Sequence, residues 1–254
     1  MIGKAVDVLN KYVNKFNIAI GDPPFGIGYD RSYYKNTNTD YILYDDIFED
    51  YEEFTFEWIN ETYSALKSDG CLYLISGWSN IKDVLNAVDR TDFIIKNHII
   101  WYFDWGLPTF TKYITSHYHV LFLIKDEKHY TFNPYTVSIN EDKPYEKDVW
   151  YWGSYNRGND PDRIDGHPCQ LPIIMLKHIL RISSNPNEWV ADIFSGSGGT
   201  LLASRLLGRN CVSIEKNGDY LNIIKKKAMI EQKIVYSPDL DKKNLNYKIR
   251  GVRR

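Results

Sequence analysis

A chain of 254 residues, 43% hydrophobic and 15% aromatic, carries enough apolar material for one sizeable core and reads as a single domain over residues 1–254. Its formal net charge of −2 excludes a uniformly basic surface, so any phosphate-contacting face has to be a local patch. Cys71, Cys169 and Cys211 are too scattered for a disulfide framework or a zinc cluster, and no metal is expected. Residues 1–10 lack a signal-type apolar core, and no apolar run approaches the roughly 18 residues of a membrane span; the expectation is a cytoplasmic protein without membrane attachment.

Ala5, Val6, Leu9 and Val13 recur at helical spacing and predict a short leading helix. The run Phe16 to Ile20 is apolar except at Asn17, the pattern of a strand buried on both faces of a parallel sheet. It stops at Asp22-Pro23-Pro24-Phe25. Two prolines cannot continue a ladder, and they push Asp22 toward extended backbone. The turn offers a carboxylate, a Pro23 carbonyl and an aromatic face, which together suit a planar amino group carried on a ring. Prolines after a strand are also ordinary punctuation, so these four residues alone leave both readings open.

Residues 26–50 form a polar, tyrosine-rich segment, longer than the usual connection of about 4–6 residues. It reads either as a lid or DNA-contact loop, with Arg31 and Lys35 for phosphate, or as a plain surface loop. Tyr51 to Leu66 has the spacing of a helix, with Gly70 as its C-terminal stop, and Cys71 to Ile75 is a buried strand. Ser79 is placed to cap a helix through Ile81, Val84, Leu85 and Val88, and Phe93–Phe103 and Tyr118–Ile124 read as strands. His117 and His119 are read as strand polar residues rather than a metal pair, and Trp101 as core. Residues 126–166 form a second irregular region around Val149-Trp150-Tyr151-Trp152, either a segment that reads nucleic acid or an excursion on the sheet edge. The alternation of strands and helices predicts a doubly wound α/β fold.

Val190 to Phe194 is a strand, Ser195-Gly196-Ser197-Gly198-Gly199 a glycine-rich turn, Thr200 to Leu207 a helix, and Cys211 to Ile214 the next strand, ending at Glu215. An acid about 20 residues beyond the first glycine is placed to hold ribose hydroxyls. The missing Gly-Lys-Ser/Thr excludes a P-loop, and Leu201 at the third glycine position breaks the dinucleotide fingerprint. His167 precedes a predicted helix over 173–182 and could cap it or face a cofactor. Lys225, Lys226 and Lys227 read as a solvated helix face rather than a main DNA surface.

Asp22-Pro23-Pro24-Phe25 resembles the catalytic motif of nucleic-acid amino-methyltransferases, and Asp192-Ile193-Phe194-Ser195-Gly196-Ser197-Gly198 resembles their S-adenosylmethionine motif. His167-Pro168-Cys169-Gln170-Leu171-Pro172 is similar to the cofactor-side motif upstream, with Leu171 where a lysine is usual. Catalytic motif first and cofactor motif last is the order of the beta class of DNA amino-methyltransferases. The resemblance implies a mostly parallel, seven-stranded, Rossmann-like methyltransferase sheet with helices on both faces. It implies S-adenosylmethionine as cofactor, held by Asp192, Phe194, Gly196, Ser197, Gly198, Thr200, Glu215 and His167. It also implies double-stranded DNA as partner, with Asp22, Pro23, Pro24 and Phe25 acting on a flipped base and residues 126–166 as a short target-recognition segment. Asp at position 22 leans to N6 of adenine, because the family's cytosine enzymes more often carry Ser there. N4 of cytosine, RNA or a protein amide, and a non-catalytic DNA-binding subunit are the alternatives. A homodimer and a cognate restriction endonuclease are compatible with the same resemblance.

Overall fold

The computed structural model describes residues 1–28, 46–104, 106, 109–134, 146–152 and 163–229. Seven strands form one sheet: β1 (Phe16–Gly21), β2 (Leu66–Ser76), β3 (Ile94–Tyr102), β4 (His117–Ile124), β5 (Val149–Tyr151), β6 (Trp189–Asp192) and β7 (Asn210–Ser213). Their order is β5-β3-β4-β2-β1-β6-β7. β4 runs antiparallel to β2 and β3, and the other neighbours are parallel. The helices are α1 (Ala5–Leu9), α2 (Tyr51–Ala65), α3 (Ile81–Asp89), α4 (Ile173–Ser183), α5 (Gly199–Leu206) and α6 (Leu221–Ala228).

Successive strand residues point to opposite faces, so a strand apolar throughout has to be covered twice. In β1, Ile18 and Ile20 join one buried cluster with Tyr73, Ile75 and residues of α4 and α5, while Phe16 and Ala19 join another with Leu72, Leu74 and residues of α1, α2 and α3. The expected doubly wound arrangement is therefore present, with helices on both faces. Trp101 lies in the first cluster, 3% exposed, as expected of a core residue. The isolated run at 149–152 supplies the edge strand β5, paired in parallel with β3. Among the described residues no helix is long and apolar enough to cross a membrane.

Four local expectations change. The leading helix ends at Leu9, and Val13 is exposed. α2 ends at Ala65, so Gly70 does not stop it. Leu66 is already extended and pairs with Phe16, whereas the next pair is Ile18 with Cys71, which leaves Lys67–Gly70 looped out of register within β2. At α3 the N-cap is Asn80 rather than Ser79, and its side chain makes no capping bond. Lys227 is buried, donating to Gln170 Oε1 at 2.8 Å, while Lys225 and Lys226 are exposed, so the basic run is solvated only in part.

Candidate active site

β1 and β6 are parallel neighbours, with Ile20 opposite Asp192, so the turns after these strands emerge side by side on one sheet edge. That pairing joins two motifs about 170 residues apart in sequence, at the edge where open α/β sheets bind ligands.

On the β1 side, Pro23 is buried and Asp22, Pro24 and Phe25 are half-buried. Among the described residues no hydrogen-bond donor reaches the Asp22 carboxylate or the Pro23 carbonyl. Burial without a donor pushes the Asp22 carboxyl up to about 7, and the neighbouring Asp192 carboxylate pushes in the same direction. The Phe25 ring packs edge-on to Tyr118, with centroids 5.3 Å apart, and lies so close to Gly77 that a Cβ there would sit 3.0 Å from it. Tyr118 in turn touches Trp101 and Phe103, which fixes Phe25 from behind.

The rest of the turn is fastened by side chains that sequence reasoning did not single out. Asp46 accepts the Gly26 and Ile27 backbone N–H groups at 2.6 and 3.1 Å. Tyr51 donates to the Pro24 carbonyl at 2.8 Å, and Asn80 to the Phe25 carbonyl at 2.6 Å. Each is a long-range contact from a side chain to the backbone, and no local pattern announces such a contact.

On the β6 side the turn runs through Gly196 at φ +49° and Gly198 at φ +84° before α5 begins at Gly199. Both glycines meet protein: a Cβ at Gly196 would lie 2.6 Å from His167 Nε2, and one at Gly198 3.2 Å from the Ile224 Cα. The turn thus has a packing role besides any ligand role. Asp192 is 2% exposed and accepts from Ser213 Oγ at 2.9 Å. Its burial pushes the carboxyl up to about 6, while the Ser195, Ser213 and Thr200 hydroxyls pull the other way. Asp192, Ser197 and Thr200 are all buried. Phe194 packs on Trp58 of α2, with ring centroids 5.2 Å apart.

Glu215 lies two residues beyond β7 and is half-buried. Its two carboxylate oxygens accept the Gly196 and Asn217 N–H groups, each at 2.8 Å, and burial raises its pKa against those bonds. The backbone here is braced by the N-terminus, since Glu215 N donates to Met1 O and Gly3 N to Glu215 O, both at 2.9 Å. A carboxylate has about four lone-pair sites, so Glu215 keeps acceptor capacity for a diol after holding the turn. Spare acceptors of this kind suit a pair of neighbouring hydroxyls.

His167 does not cap α4, whose N-cap is Pro172. It lies 8% exposed against Gly196 and Tyr220, and burial lowers its pKa to about 4, so the ring is neutral. His119 is hydrogen-bonded to His98 at 2.7 Å, and no cluster of three metal-binding side chains occurs among the described residues. Arg31 and Lys35, most of the 26–50 segment and much of 126–166 lie outside the described residues.

The family model described as DNA methylase matches residues 16–226. M.HinfI, a type II methyltransferase of Haemophilus influenzae, is 27% identical over 89% of this chain and 66% of its own length, so the chain spans about two thirds of that relative. The DNA adenine methyltransferase YhdJ of Escherichia coli is 28% identical, over 87% of this chain and 79% of its own. Among solved structures, the M1.HpyAVI–SAM complex aligns with a TM-score of 0.66 at 22% identity, covering 90% of this chain and 98% of its own. The cytosine-N4-specific PvuII DNA methyltransferase aligns at 0.69 and 16% identity, covering 98% and 92%.

Proposed function

The chain belongs to the DNA methylase family, and from that premise we propose that it methylates the exocyclic amino group of a base flipped out of double-stranded DNA, with N6 of adenine as the target. The observation that carries this reading is the pair of acceptors at the end of β1. Asp22 and the Pro23 carbonyl lie side by side, half-buried to buried, with no donor among the described residues, on the edge that also carries Glu215 and the glycine turn.

An exocyclic amino nitrogen is a poor nucleophile because its lone pair is delocalised into the ring. Two acceptors that take both amino hydrogens hold the nitrogen in a fixed orientation and draw electron density toward it. Phe25, fixed by Gly77 and Tyr118, is the platform for the ring. S-adenosylmethionine, when bound, supplies an electrophilic methyl group. Glu215 would hold its ribose hydroxyls, and the Gly196–Gly198 turn would border it. Once methylated, the nitrogen carries one proton too many, and the Asp22 carboxylate accepts it. A carboxylate poised near 7 does this without being a strong base.

Adenine is favoured over cytosine by the carboxylate at position 22 and by likeness to the adenine methyltransferase YhdJ. N4 of cytosine is the second reading, supported by the likeness to the PvuII enzyme. The relatives named as type II methyltransferases support pairing with a cognate restriction endonuclease. The test is mass spectrometry of nucleosides from unmethylated duplex DNA incubated with protein and S-adenosylmethionine. N6-methyladenine is expected. N4-methylcytosine would move the target to cytosine, and unmodified DNA would refute the activity.

A further inference from the structure

The turn after β1 cannot fasten itself. Pro23 and Pro24 have no N–H to donate, so the loop has few hydrogen bonds of its own to fix its peptide planes. Three side chains, 19 to 55 residues further along the chain, do so instead. Asp46, 3% exposed, takes the Gly26 and Ile27 N–H groups one on each carboxylate oxygen, and its own carbonyl accepts from Gly28 N at 3.2 Å. Tyr51, the first residue of α2, donates its hydroxyl to the Pro24 carbonyl. Asn80, at the N-cap of α3, donates its amide to the Phe25 carbonyl at 2.6 Å and to the Gly26 carbonyl at 3.4 Å.

Asn80 is the telling member. An Asn at an N-cap ordinarily turns its side-chain oxygen onto the first turn of its own helix. Here the side chain makes no capping bond to α3 and points its amide across to the loop. Gly26, at φ +64°, is held in the left-handed region by bonds on both its N–H and its carbonyl, and a Cβ there would collide with Tyr51 and the Asn80 amide. The carbonyls of Pro24, Phe25 and Gly26 are thereby all engaged. Among the described residues no donor reaches the Pro23 carbonyl or the Asp22 carboxylate, so both stay available to a substrate with two hydrogens to donate.

We propose that Asp46, Tyr51 and Asn80 form a positioning clamp that selects and aims the two acceptors, a proposal that rests on the amino-methylation reading above. None of the three needs to touch the base. Tyr51 and Asn80 hold the Pro24 and Phe25 peptide planes, and through them they set the direction of the Pro23 carbonyl and the height of the Phe25 ring. Asp46 pins the exit of the turn.

Asn80→Asp separates the clamp from a helix cap. Asp caps as well as Asn does, and its charge suits a helix N-terminus, but it cannot donate to the Phe25 carbonyl. Tyr51→Phe removes the hydroxyl and keeps the ring against Phe48 and Phe54. Both full-length variants are compared with wild type for single-turnover transfer from methyl-tritiated S-adenosylmethionine to unmethylated duplex DNA. Cofactor affinity, the thermal midpoint and amide exchange at Gly26 and Ile27 are measured alongside. The expected result for Asn80→Asp is a rate lower by about 10²-fold, the scale of a small misplacement of reacting groups. Its midpoint and cofactor affinity stay unchanged, and Gly26 and Ile27 exchange faster in both variants. A wild-type rate with unchanged exchange in either variant overturns the clamp, as does a rate lost only together with the midpoint and the exchange protection of α3. A wild-type protein that transfers no methyl group refutes the proposed activity instead, and the exchange arm still decides whether these side chains hold the loop.

Discussion

Asp22 is a carboxylate kept where the folded protein disfavours its charge. Its pKa in the fold is about 7 against an ordinary 3.8, so the folded state retains a proton that the unfolded chain gives up. Stability contributed at this residue is therefore undiminished below about 4 and is lost as pH rises toward 7. Replacement by Asn should stabilise the protein at pH 8, by no more than about 4 kcal/mol, and leave its stability unchanged at pH 4. Melting curves at the two pH values check this; an equal effect at both would mean that the carboxylate is not strained by burial. The same shift bears on function, because the ionised form is the stronger acceptor for an amino hydrogen and the form that can take up the proton released after methylation. The rate of transfer should climb with pH through about 7 in wild type, and this limb should vanish in the Asp22→Asn variant. Sequence reading found Asp22, since a strand that ends at a carboxylate and two prolines is a local signal. It missed the roles of Asp46, Tyr51 and Asn80, because each acts on backbone 19 to 55 residues away.

The glycine turn between β6 and α5 shows how one element serves two ends. Gly196 and Gly198 sit at positive φ and lie tight against His167 and α6, and a Cβ at Gly196 would lie only 2.6 Å from His167 Nε2. Gly196→Ala should destabilise the protein by about 1–2 kcal/mol from the left-handed backbone alone, with the His167 contact adding to it. Chemical denaturation measures the loss. Glu215 ties this turn to β7 through Gly196 N, so Glu215→Ala loosens the turn as well as removing an acceptor for ribose. S-adenosylmethionine binding should weaken by about 1–3 kcal/mol in calorimetric titration, and unchanged affinity would leave Glu215 a purely structural brace. Strand, turn, helix and acid were legible from their order and spacing. The bracing of Glu215 by Met1 and Gly3 was not, because it joins segments far apart in the sequence. Gly70 misled for the converse reason: a glycine after polar residues looks like a helix stop, yet here it lies in a loop-out that lets β2 re-register on β1.

Across the whole molecule, the sheet order turns two separate motifs into one site. β1 lies between β2 and β6, so the Asp22 loop is flanked by Gly77 and Asn80 on one side and by Asp192 and the glycine turn on the other. The fold class and both motif positions could be read from strand alternation and strand-stop residues, but the packing that fixes the loop required the assembled α2 and α3. The central claim is that Asp22 acts by accepting hydrogen bonds from the target amino group rather than by ending a strand. Its most direct test is single-turnover methyl transfer to duplex DNA by Asp22→Ala, with S-adenosylmethionine affinity measured on the same preparation. Loss of one preorganised acceptor should slow transfer by about 10²–10³-fold while cofactor affinity is retained; an Asp22→Ala protein that methylates DNA at the wild-type rate would contradict the account.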